Sequence, residues 1–248
     1  MTDVLGWRKV LAVIAPSTNT IVQPDMEAMR PIGVTNHYRD IYVEDPLALS
    51  DASFTEGTTR IGQGMQDCLR TAITCKPDYI VLGVSAISFA GGLAGAREFA
   101  SGLSEFTGKD VSVGSLSTAA ALEAYGGIRR IAFVSPYYPV ANAQVKRFFE
   151  DCGFEVVRDV PLRCRTWTDI AQVTEARLLE VLRQLDGDDV DAIVQVGTNL
   201  SMVRLAAQAE LWLGKPVIAI NTATYWHALR QCGIHDRMES FGKLLRDH

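Results

Sequence analysis

Short apolar runs with almost no polar alternation constrain this chain more than any other feature. They are Val10–Ala15, part of Val34–Val43, Tyr79–Val84, Ile131–Ser135, Glu155–Val160, Ala192–Val196 and Val217–Ile220. A strand without two-residue alternation is covered on both faces, the condition of a parallel sheet lying between helices. Amphipathic stretches stand among them, at Phe54–Thr74, Gly92–Phe106, Thr118–Tyr125, Ala141–Cys152, Thr174–Leu185, Ser201–Leu213 and Thr222–Gln231. Pro, Gly and Asp mark the joints, as in CKPDYIV, DGDDVDAIV and LGKPVIAI. The pattern predicts an α/β fold with parallel strands.

The chain also echoes itself. VLAVIAPSTNTIVQPDMEAM reads strand, Pro loop, helix, and so does IAFVSPYYPVANAQVKRFF. KPDYIVLGVSAIS and DVDAIVQVGTNLS each place an Asp, an apolar strand and a small-polar loop in that order. The expectation is two α/β lobes of similar build, residues 1–114 plus 217–248 forming the first and 115–216 the second. The plain alternative is that any series of strand–loop–helix units echoes in this way. Parallel sheets bind ligands at the C-terminal ends of their strands. If the lobes face each other, the loops at Ser17–Thr20, Ser85–Ser88, Ser135–Tyr138 and Thr198–Asn199 share one cleft.

Composition removes several functions. Lys and Arg total 24 against 29 Asp and Glu, a formal charge of -5, and the basic residues are scattered, which argues against nucleic acid as a partner. No apolar run approaches the ~18–20 residues of a membrane span, and MTDVLGWRK does not read as a signal peptide. Five cysteines without CxxC spacing suit a reducing, cytoplasmic setting. There is no GxGxxG, no GxxxxGK[ST] and no GxSxG, and the four histidines lack metal spacing, so no cofactor and no metal are expected. FAGGLAG has the wrong spacing for a dinucleotide fingerprint. His227, in TYWHALR, reads as a structural histidine. Chemistry without a cofactor, or binding alone, is what remains.

At the strand-end loops the sequence resembles the aspartate/glutamate racemase superfamily, in its maleate isomerase and arylmalonate decarboxylase branch. The resemblance rests on APSTNT (15–20), VLGVSAISFAGG (81–92), FVSPYYPVANAQVKRFFEDCGFEV (133–156), VGTNLSM (196–202) and GKPVIAINTATYWHALR (214–230), in the family's order over nearly the whole chain. It implies two Rossmann-like lobes with parallel sheets related by a pseudo-twofold, and a carboxylate held in the active-site cleft between them. It places Asn19 and Tyr137 on that carboxylate. Ser85 and Ala86 fall on the first strand-end loop and Thr198 and Asn199 on the second, with Ser17 beside Asn19. Trp167 stands where relatives carry a smaller pocket-lining residue. Plainer readings make Asn19 and Asn199 helix N-caps, Tyr137 a packed aromatic and Trp167 a core residue. A homo-oligomer is expected from the resemblance alone.

One departure matters most. Racemases and maleate isomerases of this kind use a cysteine on each strand-end loop, and arylmalonate decarboxylase keeps the second. Here the first position is Val84, or Gly83 if the loop slips by one, and the second is Gly197. Of the five thiols, Cys164 is the one that sequence order leaves within reach of the cleft. Two-base racemisation needs an acid and a base on opposite faces of the α-carbon, and thiolate addition needs a nucleophile. Decarboxylation asks less: donors for the enediolate and an apolar berth for the departing carboxylate. The expectation is therefore an enzyme on a small mono- or dicarboxylic acid, first of all a decarboxylase, with Tyr137, Ser85 and Thr198 catalytic. Ser17, Asn19, Val84, Ala86, Trp167, Gly197 and Asn199 are expected to bind substrate. An isomerase using groups other than cysteine, another lyase or a hydrolase, and a non-catalytic carboxylate-binding protein are the alternatives.

Overall fold

The structure, a computed structural model, describes residues 3–45 and 49–248. The apolar runs become two four-stranded parallel sheets. The first takes β1 (Lys9–Pro16), β2 (Val34–Ile41), β3 (Tyr79–Leu82) and β4 (Val111–Val113) in the order β2-β1-β3-β4. The second takes β5 (Arg130–Ser135), β6 (Glu155–Pro161), β7 (Ala192–Gln195) and β8 (Val217–Ala219) in the order β6-β5-β7-β8. The matching orders are the echo of the sequence made visible.

Helices cover both faces: α1 (Val22–Ala28), α2 (Asp51–Ala72), α3 (Gly92–Thr107) and α4 (Gly114–Tyr125) in the first half of the chain, then α5 (Pro139–Asp151), α6 (Glu175–Leu185), α7 (Val203–Leu213), α8 (Ile220–Gln231) and α9 (Lys243–Asp247). Side chains along β1 go alternately to two apolar clusters. Leu11, Val13 and Ala15 join the larger, while Ala12 and Ile14 pack with Ile61, Met65 and Leu69 of α2. Every residue from Leu11 to Pro16 is buried, which is why the run lacks polar alternation.

In each sheet the connections run outward in opposite directions from the central pair, β1/β3 and β5/β7. Such a switch point opens a crevice at the strands' C-terminal ends. The lobes meet along α4 and α8, which follow their strands with no intervening loop. At the first residue of α4 a Cβ on Gly114 would lie 2.7 Å from Ile220 Cδ1, at the first residue of α8, so a larger residue would have to displace that side chain.

Two boundaries differ from the sequence expectation. The edge strand β4 lies outside the strands that the sequence pattern predicts, because three residues, VSV, carry too little pattern. Val217–Ala219 pairs with β7 in the second sheet, whereas the expected boundary assigned it to the first lobe. The chain crosses back after Ala219, where α8 packs on β3 and β4. Among the described residues no helix is long and apolar enough to cross a membrane.

Candidate active site

The two crevices face one another and form one cleft of about 410 Å3, its open mouth included. Pro16 at the end of β1 is joined by Thr18 and Asn19 from the loop that follows, and the segments after β3, β5, β6 and β7 supply Val84, Ser85 and Ala86, then Tyr137, then Trp167 and Ile170, then Gly197, Thr198 and Asn199. Ile61 reaches in from α2. No charged side chain and no cysteine lines the cleft among the described residues. Cys164 is half-buried beside Pro136, to whose carbonyl its N–H donates at 3.0 Å, and burial pushes its thiol up to about 11. The one thiol that sequence order left in reach therefore does not enter.

Ser85 and Tyr137 bring the lobes together through a direct hydroxyl–hydroxyl hydrogen bond. Each group carries one hydrogen and only one can lie between them, so the pair keeps one hydrogen to donate elsewhere. Tyr137 is 3% exposed, and this burial pushes its phenol above the ordinary range, so it stays protonated at neutral pH. Its backbone N–H donates to Ser135 Oγ at 3.1 Å. Ser135 in turn donates to Asn142, whose amide donates to Asp159 at 2.5 Å. Phe54 of α2 packs edge-on against both Tyr137 and Trp167, with ring centroids 5.4 and 5.0 Å away. The phenol is thus fixed from both sides.

The loop after β7 works differently from the sequence expectation. Thr198 Oγ1 donates its hydrogen to the Gly83 carbonyl at 2.9 Å and accepts from Asn19 Nδ2 at 3.2 Å. Having one hydrogen, it has none left for a ligand, so this hydroxyl is a tie between lobes rather than a substrate donor. The Asn199 side chain is also spent. Its Nδ2 donates to the carbonyls of Trp167 (2.9 Å) and Thr18 (3.3 Å), and its Oδ1 accepts from Thr20 N at 3.0 Å. It is not a helix cap either, since α7 begins only at Val203. Asn19 does hold a helix start, its Oδ1 accepting from Ile21 N and Val22 N at 3.0 and 2.9 Å, yet its amide keeps a second hydrogen at the cleft. The cap reading and the ligand reading are both compatible with that geometry.

Besides the hydrogens left on the Ser85–Tyr137 pair and on Asn19, the indole N–H of Trp167 is buried without a partner among the described residues, and backbone donors are free. The amides of Ser85, Ala86, Thr198 and Asn199 meet no protein acceptor among the described residues. Ser17 is corrected: it is exposed and outside the cleft lining, exchanging hydrogen bonds with Val43 through Oγ (3.0 and 3.3 Å) to tie β1's end to the segment after β2. Val84 lines the cleft, whereas Gly83 lies under Val22 of α1, which removes the one-residue slip. Gly197 has φ +99°, and a Cβ there would come within 2.5 Å of Pro136 Cγ. Thr18 enters from the Ser17–Thr20 loop, whereas Pro16, Ile61 and Ile170 line the cleft outside the loops that the sequence singles out. Ile61 carries no signal beyond the apolar face of its own helix.

The chain matches the family described as arylmalonate decarboxylase over residues 19–245. It belongs to that family. Among curated proteins, the maleate isomerase of Nocardia farcinica is 23% identical over 249 residues, 98% of this chain and 97% of that protein. The maleate isomerase of Alcaligenes faecalis is 26% identical over 121 residues, and the match spans about half of that relative, 47% of its length. Among solved structures, a mutant of Nocardia farcinica maleate cis-trans isomerase with a covalently bound succinylcysteine intermediate superposes with a TM-score of 0.86 at 22% identity, covering 97% of this chain and 99% of that one. A double mutant of arylmalonate decarboxylase in liganded form gives 0.80 at 18%, covering 97% and 100%. The two-lobed α/β fold of the family is therefore the fold of this chain.

Proposed function

We propose that this member of the arylmalonate decarboxylase family decarboxylates a small malonate-type acid through an enediolate, without a cofactor. The observation that carries the reading is a cleft lining with neutral donors and apolar side chains, but neither a cation nor a thiol among the described residues. One carboxylate lies on the spare hydrogen of the Ser85–Tyr137 pair, the Asn19 amide and the unspent backbone amides. The other meets Ile61, Val84 and Ile170, where a charge has no partner and is costly to hold.

Breaking the bond between the α-carbon and that carboxyl releases it as neutral CO2. The electron pair moves into the enediolate, whose charge the donors take up. The α-carbon then takes a proton from Tyr137, and solvent restores that proton by way of Ser85. The curated relatives are maleate isomerases, and one related structure holds a succinylcysteine intermediate. That covalent route needs a thiol in the cleft, and no cysteine lines it here, so isomerisation ranks second.

The test is a panel of substituted malonates, maleate, aspartate and substituted succinates incubated with the protein in D2O and followed by proton and carbon NMR. The expected result is loss of one carboxylate with deuterium at the α-carbon, abolished by Tyr137→Phe. Conversion of maleate to fumarate, or α-deuteration with both carboxylates retained, overturns the mechanism. Saturable binding without turnover of any compound makes the chain a carboxylate-binding protein.

A further inference from the structure

Beneath the cleft lies a polar link that the chemistry above does not use. Asn221, in the first turn of α8, is 2% exposed. Its Nδ2 donates both hydrogens, one to Asp25 Oδ2 of α1 and one to the Thr198 carbonyl, each at 2.9 Å. Its Oδ1 is buried without a partner among the described residues. An orphaned buried acceptor is destabilising, so this amide is held in an orientation that its own oxygen opposes. Rotating it to exchange oxygen and nitrogen would set two acceptors against each other at Asp25 and again at Thr198. Asp25 and the Thr198 carbonyl together make the observed orientation the better one, and Asp25 is the side chain among the two.

The consequence lies one bond further on. In a trans peptide the C=O and the following N–H point in opposite directions. Fixing the Thr198 carbonyl on Asn221 therefore fixes the Asn199 N–H, one of the unspent donors of the cleft, to the other side. A hydrogen bond accepted by a carbonyl also strengthens the donor of the same peptide. The loop after β3 repeats the device, since Thr198 Oγ1 holds the Gly83 carbonyl and so orients the N–H of Val84.

We propose that Asp25 is a positioning residue, acting through Asn221 to hold the Thr198–Asn199 peptide with its N–H presented to a bound carboxylate. The ligand half of this statement rests on the carboxylate reading above. Burial, set partly against Asn221 and the charge of Arg204, pushes the Asp25 carboxyl up to about 6. Protonated or not, the group still offers an accepting oxygen to Asn221.

The test compares the 15N,13C-labelled wild-type chain with Asp25→Ala, Asp25→Asn and Asn221→Ala, with and without sodium malonate as the probe. In the unliganded protein, Asp25→Ala and Asn221→Ala should move or broaden the Thr198 carbonyl and Asn199 amide signals. Asp25→Asn, which keeps an acceptor, should restore them. Malonate should bind the two alanine variants about tenfold more weakly than wild type, the loss of roughly one hydrogen bond's worth of affinity. Thr198 and Asn199 signals unchanged in Asp25→Ala, or equally disturbed in Asp25→Asn, overturn the proposal. If the alanine variants do not fold, wild type decides alone: coupling across the hydrogen bond from the Asn221 amide to the Thr198 carbonyl is expected, and its absence refutes the link. If malonate moves no cleft amide of wild type while the unliganded signals behave as expected, the carboxylate reading fails and the positioning of the peptide stands.

Discussion

The two strand-end loops that face each other across the cleft occupy equivalent places in their sheets, yet they are built for different tasks. After β3, Val84 presents a side chain to the cleft and Ser85 shares a hydrogen with Tyr137. After β7, Gly197 is held at positive φ against Pro136, and the side chains of Thr198 and Asn199 are consumed in ties to the other loops. The first loop supplies a side-chain donor and the second supplies rigidity and backbone amides. Pseudo-symmetry of the fold therefore carries no symmetry of function: a group lost from one loop has no automatic substitute on the other.

The largest expected effect concerns the first loop's partner across the cleft, Tyr137. Tyr137→Phe removes a donor from the developing enediolate, and kcat on the acid identified by the D2O panel should fall about 100-fold or more. KM should change far less, because the remaining donors still bind the ground state. A fall in kcat of only a few-fold would shift the weight to the backbone amides of the second loop.

Next in size is a direct exchange between the loops. Gly197→Cys must place a side chain at positive φ and against Pro136, and should cost about 2–5 kcal/mol by urea unfolding, from strain and overpacking together. Val84→Cys, at the equivalent place, should cost about 1 kcal/mol, since only a buried methyl's worth of packing is lost. Equal costs would mean that the loops are interchangeable after all. Asn199→Ala should follow at about 1–2 kcal/mol by the same measurement, because it leaves the Thr20 N–H and the carbonyls of Thr18 and Trp167 without their partner.

A pH effect separates the second loop's support from the rest. Between the ordinary carboxyl value of 3.8 and about 6, folded Asp25 holds a proton that the unfolded chain has released. Stability contributed through this group is greatest at low pH and is lost as pH rises through that window. Arg204 is the charged group that opposes the shift. Asp25→Asn has no such term, so its Tm should match wild type near about pH 4 and exceed it near about pH 7.5. Ser17→Ala is the smallest change: loss of about 1 kcal/mol or less and unaltered turnover, since its hydroxyl serves only Val43.

Much of this was legible in the residues. Strands buried on both faces announce themselves in the apolar runs around Leu11–Pro16 and Ala192–Gln195, and two similar halves imply facing loops. The order of Asn19, Ser85, Tyr137 and Thr198 along those halves was enough to bring them to one cleft. What each hydroxyl and amide is bonded to was not legible, because a partner such as the Gly83 carbonyl lies 115 positions from Thr198 and is chosen by how the lobes dock. Ser17 and Thr18 are neighbours in one loop, yet only the second lines the cleft, and no local pattern decides which residue of a turn faces inward. Gly197 could have been a flexible turn, and the ring of Pro136 is what makes it a wedge that excludes a thiol.

The central claim is that this cleft works without cysteine, and one measurement addresses it. A variant with Cys68, Cys75, Cys152, Cys164 and Cys232 all replaced by alanine, checked for native fold by circular dichroism, should decarboxylate the acid found active in the D2O panel at a rate within a few-fold of wild type. A folded variant that has lost turnover would show that a thiol takes part, and would contradict the account.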